Sequence, residues 1–465
     1  MKSITQRWMR QSRWSVLALV LFITPLVAQA DSFKWDAKNE KLSVEVENWP
    51  LNLLLETINT TIGWEVFLEP GTNFTATAKF QNLPPGEGLR SLLGGLSYAL
   101  VPQTNGPARL YVFHTTMKAA TQRIGISKIA KIRPDGAKPI PNELIVTLNK
   151  SCDSIEKVAS AVGAKVIGRV DSLNTYRLKF GSPEATQAAL ALLNAHECVA
   201  SVDFNYELPK PKEMESAGSG ASLPLEAKPI GADGVVTVGL VDTGGDPNAY
   251  CGLSGFMLPM ISVVNTSPTA SSSPGHGLSM AYTVVRGLSS VQGSSAGMAV
   301  RIQPVDVYGA NATTTTFDVA NGIYRAVNSG ANPINLSLGT TGDSTFLQRV
   351  IQDAAAQGVV FFAAAGNEPV TTPTYPAAYP QVVAVTAGDR QGHIASYANY
   401  GSFVDAMAPG ASMVCYNDQS WVVQGTSAAT AFATGLAAGA VAQGLAANQA
   451  VTLVTNALPV GTTGN

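Results

Sequence analysis

The chain has 465 residues, enough for about three domains of ordinary size. Charged residues make up 13% of it and the formal net charge is -2, which gives no electrostatic ground for nucleic acid or an anionic surface as partner. Hydrophobic residues, at 46%, are ample for real cores. Residues 1–30 are expected to form a signal peptide: Lys2, Arg7, Arg10 and Arg13 make a basic start, 16–27 an apolar centre, and Ala28-Gln29-Ala30 a small-x-small cleavage signal. Export to the periplasm or beyond follows from that expectation. No later run of about 18 apolar residues is free of polar ones, so no membrane span is expected in the mature chain.

Residues 31–115 carry two matching helical patterns. Leu51, Leu54, Leu55 and Ile58 fall at i, i+3, i+4, i+7, and so do Leu89, Leu92, Leu93 and Leu96. Strand-like runs flank them at 42–46, 64–68, 75–81, 98–102 and 110–113. With its phrase of strand, Asn-Leu-Pro and helix at 80–89, this small α+β unit resembles the short N-terminal domain of secretins and TonB-dependent receptors. The resemblance implies a docking module that meets an envelope protein rather than a catalyst. From 116 to 141 the chain is basic, with Lys118, Arg123, Lys128, Lys131, Arg133 and Lys138 opposed by Asp135, and is expected to be a solvated linker.

Residues 142–206 read as strand 143–148, helix 153–162, strands 165–170 and 175–180, helix 183–195 and strand 199–205. Asp153 with Glu156 has a capping-box pattern, and Ser182-Pro183 is a cap followed by proline at the first helical position. This ferredoxin-like βαββαβ order resembles the propeptide of subtilisins, which implies a domain that assists folding of the following enzyme and inhibits it. The next stretch, 207–234, is rich in Pro, Gly, Ser, Lys and Glu and is expected to be flexible and cleavable.

From 235 onward, apolar strands alternate with helical lengths, which implies an α/β domain with a parallel sheet covered on both faces. Strand 235–241 ends in Asp242 before a glycine turn. His276 stands between Gly275 and Gly277 at the start of an apolar helical run. Strand 359–365 ends in Gly366-Asn367, and Gly425-Thr426-Ser427 opens a small-residue helix to about 443. A serine at a helix N-terminus faces unpaired N–H groups, which suits a reaction passing through an oxyanion. Together and in this order the four motifs resemble the subtilisin-like serine peptidases (subtilases).

That resemblance implies Ser427 as nucleophile, His276 as general base and Asp242 as the group orienting the imidazole, with Asn367 in the oxyanion hole. Ser337, Leu338 and Gly339 would bind the substrate chain, and Ala364, Ala365 and Gly366 would face them across the specificity pocket. Ala428, Ala431 and Ser279 depart from the family's usual methionine, proline and histidine, but remove no group that the mechanism needs. The implied partners are polypeptide substrates and the chain's own propeptide. No cofactor is expected; the resemblance allows structural calcium, which the sequence does not support, since no loop is dense in oxygen ligands, and no four-ligand Cys/His spacing suggests zinc; His393 reads as a surface-loop histidine. A rival reading is a catalytically degenerate subtilase-fold binding protein. Four cysteines in an exported chain allow three connectivities; the order implied by the propeptide resemblance favours Cys152–Cys198 and leaves Cys251–Cys415.

Overall fold

The computed structural model describes residues 32–463 except 73, 104–105, 125–128, 131–135, 153, 212–213, 218–224, 226–227, 230–235, 269–271, 293–296 and 390. The expected signal peptide lies outside the described residues. The chain divides into two compact units, Met1–Ser127 and Lys128–Asn465.

The first unit runs β1 (Ser32–Asp36), β2 (Lys41–Pro50), α1 (Leu51–Ile62), β3 (Glu65–Leu68), β4 (Thr75–Leu83), α2 (Pro85–Leu93), β5 (Ser97–Val101), β6 (Arg109–Phe113) and β7 (Gln122–Ile124). Its sheets have the orders β1-β2-β4 and β5-β6-β3-β7. Both leucine stripes lie in one core, with Leu54, Leu55, Ile58, Leu89 and Leu93 fully buried. Strand β7 falls inside 116–141, so that stretch is not linker throughout. β7 is an edge strand on β3, with Ile124 buried and Arg123 paired to Glu65 at 2.6 Å. Basic residues on an edge deter unwanted strand pairing and read in sequence like a solvated tract. Its downstream end is also engaged, within the second unit: Ile129 bridges to Val202, and the Ile140 N–H donates to the Asn205 carbonyl at 2.8 Å.

The second unit opens with β8 (Glu143–Leu148), α3 (Ile155–Ala161), β9 (Lys165–Val170), β10 (Thr175–Lys179), α4 (Pro183–Ala195) and β11 (Val199–Phe204). The sheet order is β11-β8-β10-β9, with every neighbour antiparallel. The end of β8 therefore meets the start of β11, and Cys152 and Cys198 are disulfide-bonded there with Cα atoms 5.5 Å apart. Ser182 caps α4 by accepting from the Ala185 N–H at 3.2 Å. Helix α3 starts later than its sequence pattern implies, at Ile155 after Ser154; Asp153, the expected cap, lies outside the described residues.

The stretch 207–234 differs most from expectation. Three short strands tie it down: β12 (Glu207–Pro209), β13 (Met214–Ala217) and β14 (Lys228–Pro229). Between the last two, the Leu225 N–H donates to the Cys251 carbonyl at 3.3 Å. Backbone pairing needs no side-chain pattern, so a Pro, Ser and Lys-rich stretch gives no sign of it.

The large domain follows as β15 (Val236–Asp242), β16 (Ile261–Ser262), α5 (His276–Gln292), β17 (Gly297–Met298), β18 (Val300–Asp306), β19 (Thr313–Thr315), α6 (Thr316–Asn328), β20 (Ile334–Leu336), α7 (Thr345–Ala355), β21 (Phe361–Ala364), β22 (Val382–Gly388), β23 (His393–Ile394), β24 (Ala406–Pro409), β25 (Ala411–Tyr416), β26 (Gln419–Gln424), α8 (Thr426–Ala442), α9 (Ala447–Ala457) and β27 (Thr462–Thr463). The main sheet has the order β16-β18-β15-β20-β21-β22, with β24 also on β22 and every one of these pairs parallel. Its central strands are largely buried and rich in apolar residues because helices cover both faces. The β25–β26 hairpin precedes α8, and Cys415 on it is bonded to Cys251, Cα atoms 5.5 Å apart. His393, expected in a surface loop, is exposed in the short strand β23, with Asp389 at 3.5 Å. Among the described residues no helix is long and apolar enough to cross a membrane.

Candidate active site

Strand β15 ends in Asp242 and helix α5 begins at His276. These two ends approach closely because residue 277 is glycine: a Cβ there would collide with the Thr243 carbonyl oxygen, while the Gly277 N–H donates to the Thr243 hydroxyl at 2.8 Å. The result is a 2.7 Å contact between His276 Nδ1 and Asp242 Oδ1, with both residues buried. The same carboxylate oxygen accepts the Thr243 N–H at 2.6 Å, which fixes it in the strand-end turn. Nearby Tyr308 is fully buried; burial first and the charge of Asp242 second push its phenol well above the usual value, so it stays neutral.

Ser427 is the second residue of α8. Helix α8 packs on α5 backbone to backbone: a Cβ on Gly287 would strike the Phe432 carbonyl, and one on Gly435 the Val284 carbonyl. Only glycine permits that approach, and it brings together the helices that start with His276 and Ser427. Ser427 is 4% exposed. Its hydroxyl donates to the Ser337 carbonyl at 3.3 Å, and its own carbonyl accepts from the Ser337 hydroxyl at 3.1 Å.

Asn367 follows β21 and turns back toward α8. Its Oδ1 accepts from the Thr426 N–H at 2.8 Å and from the Thr426 hydroxyl at 3.0 Å. Two donors on the oxygen settle the orientation of the amide, leaving Nδ2 as the group able to donate elsewhere. The Thr426 hydroxyl itself accepts from the Gly366 N–H at 3.1 Å. Thr426 thus organises both Gly366 and Asn367, a role that the sequence motif gave no reason to assign.

A cleft of about 600 Å³ opens at this point. Ser427 and Asn367 line it together with Ser337, Leu338, Gly339, Ala364 and Gly366. Ala365 does not; it is fully buried, with its N–H on the Val385 carbonyl at 3.0 Å, because its side chain lies on the opposite side of the strand from that of Ala364. Pro209, Lys210 and Pro211 line the same cleft from the preceding segment. Strand β12 runs antiparallel to β19, the Lys210 N–H donates to the Ala312 carbonyl at 2.8 Å, and Leu208 is fully buried. Three residues further on, Met214 pairs with Gln424, which stands three residues ahead of Ser427.

The small domain 142–206 also grips the large one. Asp203 Oδ2 accepts from the Phe346 N–H at 2.6 Å and the Ser344 hydroxyl at 2.8 Å, at the start of α7. Asn205 Oδ1 does the same for α6, accepting from the Thr316 hydroxyl at 3.0 Å and the Phe317 N–H at 3.2 Å. Helix N-termini carry unpaired donors, so each is completed from the small domain. Burial raises the Asp203 carboxyl above its usual range, with the Phe346 N–H and Ser344 hydroxyl pulling the other way. Arg177 joins Glu143 at 2.7 Å to Asp318 at 3.2 Å across the same interface.

Residues 233–458 match the subtilase family, and residues 126–205 the fervidolysin N-terminal prodomain. Thermitase of Thermoactinomyces vulgaris is 34% identical over 218 residues, which cover 45% of this chain and 76% of thermitase. Subtilisin Savinase of Lederbergia lenta is 31% identical over 205 residues, covering 44% of this chain and 75% of that protein. The chain belongs to the subtilase family. Its prodomain match begins at 126, upstream of the 142 expected from strand pattern, in keeping with the engagement of Ile129 and Ile140. Of the thermophilic serine proteinase of Bacillus sp. (strain AK1), 40% identical over 153 residues, the chain spans 38%, and of the M-protease of Shouchella clausii (strain KSM-K16) 53%. The fold of this subtilase also resembles that of fervidolysin from Fervidobacterium pennivorans, with a TM-score of 0.53 and 19% identity over 69% of this chain and 58% of that one. The epidermin leader peptide processing serine protease of Staphylococcus aureus gives 0.52 and 15% over 67% and 91%.

Proposed function

We propose that the protein is an exported serine endopeptidase made as a self-processing zymogen. The observation that carries this is the 2.7 Å Asp242–His276 contact, at the start of the helix that packs on α8, together with a cleft that holds Ser427 and the chain's own residues 209–211. In the proposed reaction His276 takes the proton of Ser427 as its oxygen attacks the scissile carbonyl, and Asp242 holds the imidazole in the required tautomer and stabilises its charge. Asn367 Nδ2 and the Ser427 N–H receive the developing oxyanion. His276 then protonates the leaving amine, and water resolves the acyl-enzyme by the same steps. Substrate lies as an added strand against Ser337–Gly339 on one side and β19 on the other, where β12 now lies.

The prodomain serves as the inhibitor, and its tail as the first substrate. Connectivity between Pro211, which lines the cleft, and Met214, which pairs next to α8, supports a self-cut between these two residues. Export is supported by the basic and apolar pattern of 1–30 and by two disulfides. The unit formed by β1–β7 serves as an envelope docking module, a reading that rests on its likeness to the short secretin and TonB-receptor domain.

A fluorophosphonate probe tests the central reading, since only an activated serine reacts. Stoichiometric labelling of Ser427 in the processed protein is expected; an inert processed protein would establish the binding-protein rival instead. The inhibitory grip has its own test. Asp203→Ala leaves the Phe346 N–H and Ser344 hydroxyl without their buried acceptor and is expected to weaken the prodomain contact by ~1.5–3 kcal/mol. Activity should then appear sooner after the cut, and an unchanged lag would rule out Asp203 as a latch.

A further inference from the structure

We propose that Thr434, two turns down α8 from the nucleophile, is a positioning residue for Ser427; the proposal rests on the peptidase reading above. Four side chains of α8 are polar, those of Thr426, Ser427, Thr430 and Thr434, and all are buried. Thr430 satisfies its hydroxyl within the helix by donating to the Thr426 carbonyl at 2.8 Å. Thr434 has the same option, the Thr430 carbonyl at 2.9 Å, and yet its hydroxyl also lies 3.0 Å from Asn335 Oδ1 on β20. A fully buried amide oxygen requires a donor, and Thr434 supplies it.

The consequence is directional. With its oxygen on Thr434, Asn335 must turn Nδ2 the other way, and it donates to the Ser337 hydroxyl oxygen at 3.0 Å. That hydroxyl, now filled as an acceptor, spends its proton on the Ser427 carbonyl at 3.1 Å. A chain of donors therefore leaves the helix at Thr434, crosses to β20, and returns to the helix at the nucleophile. It joins α8 to the strand whose end carries the Ser337 carbonyl, the present acceptor of the Ser427 hydroxyl. Without the Thr434 hydroxyl, Asn335 is free to flip its amide; its Oδ1 then competes for the Ser337 hydroxyl proton, and the bond from that hydroxyl to the Ser427 carbonyl is lost. Displacements well under an ångström at a nucleophile cost rate without costing substrate affinity.

Thr434→Val keeps the shape of the side chain and removes the oxygen. In processed enzyme, with active sites counted by fluorophosphonate titration, we expect kcat to fall about tenfold with KM within about twofold. Thr434→Ser should restore kcat to within about twofold. A merely structural role would lower the melting temperature of the valine variant and leave kcat per titrated site alone; that result overturns the proposal, as does failure of serine to rescue. If the valine variant does not accumulate, Thr434→Ala read by the same titration carries the same expectation and the same refutation. A wild type that does not titrate refutes the peptidase reading, whereas a wild type that titrates beside a fully active valine variant refutes the role of Thr434.

Discussion

Ser427→Ala is expected to abolish peptide hydrolysis, lowering kcat by about a millionfold, the scale on which a triad serine acts in subtilisin. The change removes one oxygen from a residue that is 4% exposed and gives up one 3.3 Å hydrogen bond to the Ser337 carbonyl, so the fold should persist. His276→Ala should be comparably severe, because it strips the base from the same unit. The alanine protein should also remain full length, whereas the wild type separates into a prodomain fragment and a peptidase whose sequence starts between Lys212 and Met214. N-terminal sequencing after expression in a host without competing proteases checks both statements. Turnover by the purified alanine variant would sink the assignment of the nucleophile, and a cut in that variant at the same place would sink self-processing.

The second large effect belongs to Asn367, where two substitutions separate two jobs. Its Oδ1 anchors Thr426, and only its Nδ2 is proposed to reach the oxyanion. Asn367→Asp keeps an oxygen for Thr426 while exchanging the donor for a second acceptor. It is expected to lower kcat by about 10²–10³ or more with KM nearly unchanged, since the lost bond is made only in the transition state. Asn367→Ala removes the anchor as well, and should add a loss of stability that the aspartate variant lacks. A change confined to KM in the aspartate variant would show that Nδ2 binds the ground state instead.

Much of this architecture was legible before any coordinates. The leucine stripes of α1 and α2 and the apolar runs of β15, β18, β20, β21 and β22 have periods that dictate their elements. Asp242, His276, Asn367 and Ser427 were singled out by the resemblance of their four motifs, taken in order, to the subtilases; each stands at or next to a strand end or a helix start. What stayed hidden has a common cause, dependence on distant partners. Strands β13 and β14 are made by backbone pairing, to which Met214–Ala217 contributes no pattern. Strand β7 carries charge like a linker because it is an edge. Thr426, Asn335 and Thr434 looked like ordinary helix and strand residues, and only the register of α8 against β20 shows what their hydroxyl and amide groups do. Ala365, which the resemblance placed at the specificity pocket, is buried and does not line the cleft.

The path of the chain through the cleft bears on how the zymogen behaves in time. Residues 209–211 lie beside Ser427 as part of the same polypeptide, and β12 and β13 hold the chain on either side of it. Tethering of this kind replaces a collision between molecules with a local concentration set by the fold, commonly in the millimolar range. In the proposed self-processing the first cut would be unimolecular: its half-time would not depend on how dilute the precursor is. On that reading a lone molecule in a large volume would mature as fast as one in a crowded solution. What dilution does govern is the next stage, because a severed prodomain that drifts away from a dilute enzyme seldom returns.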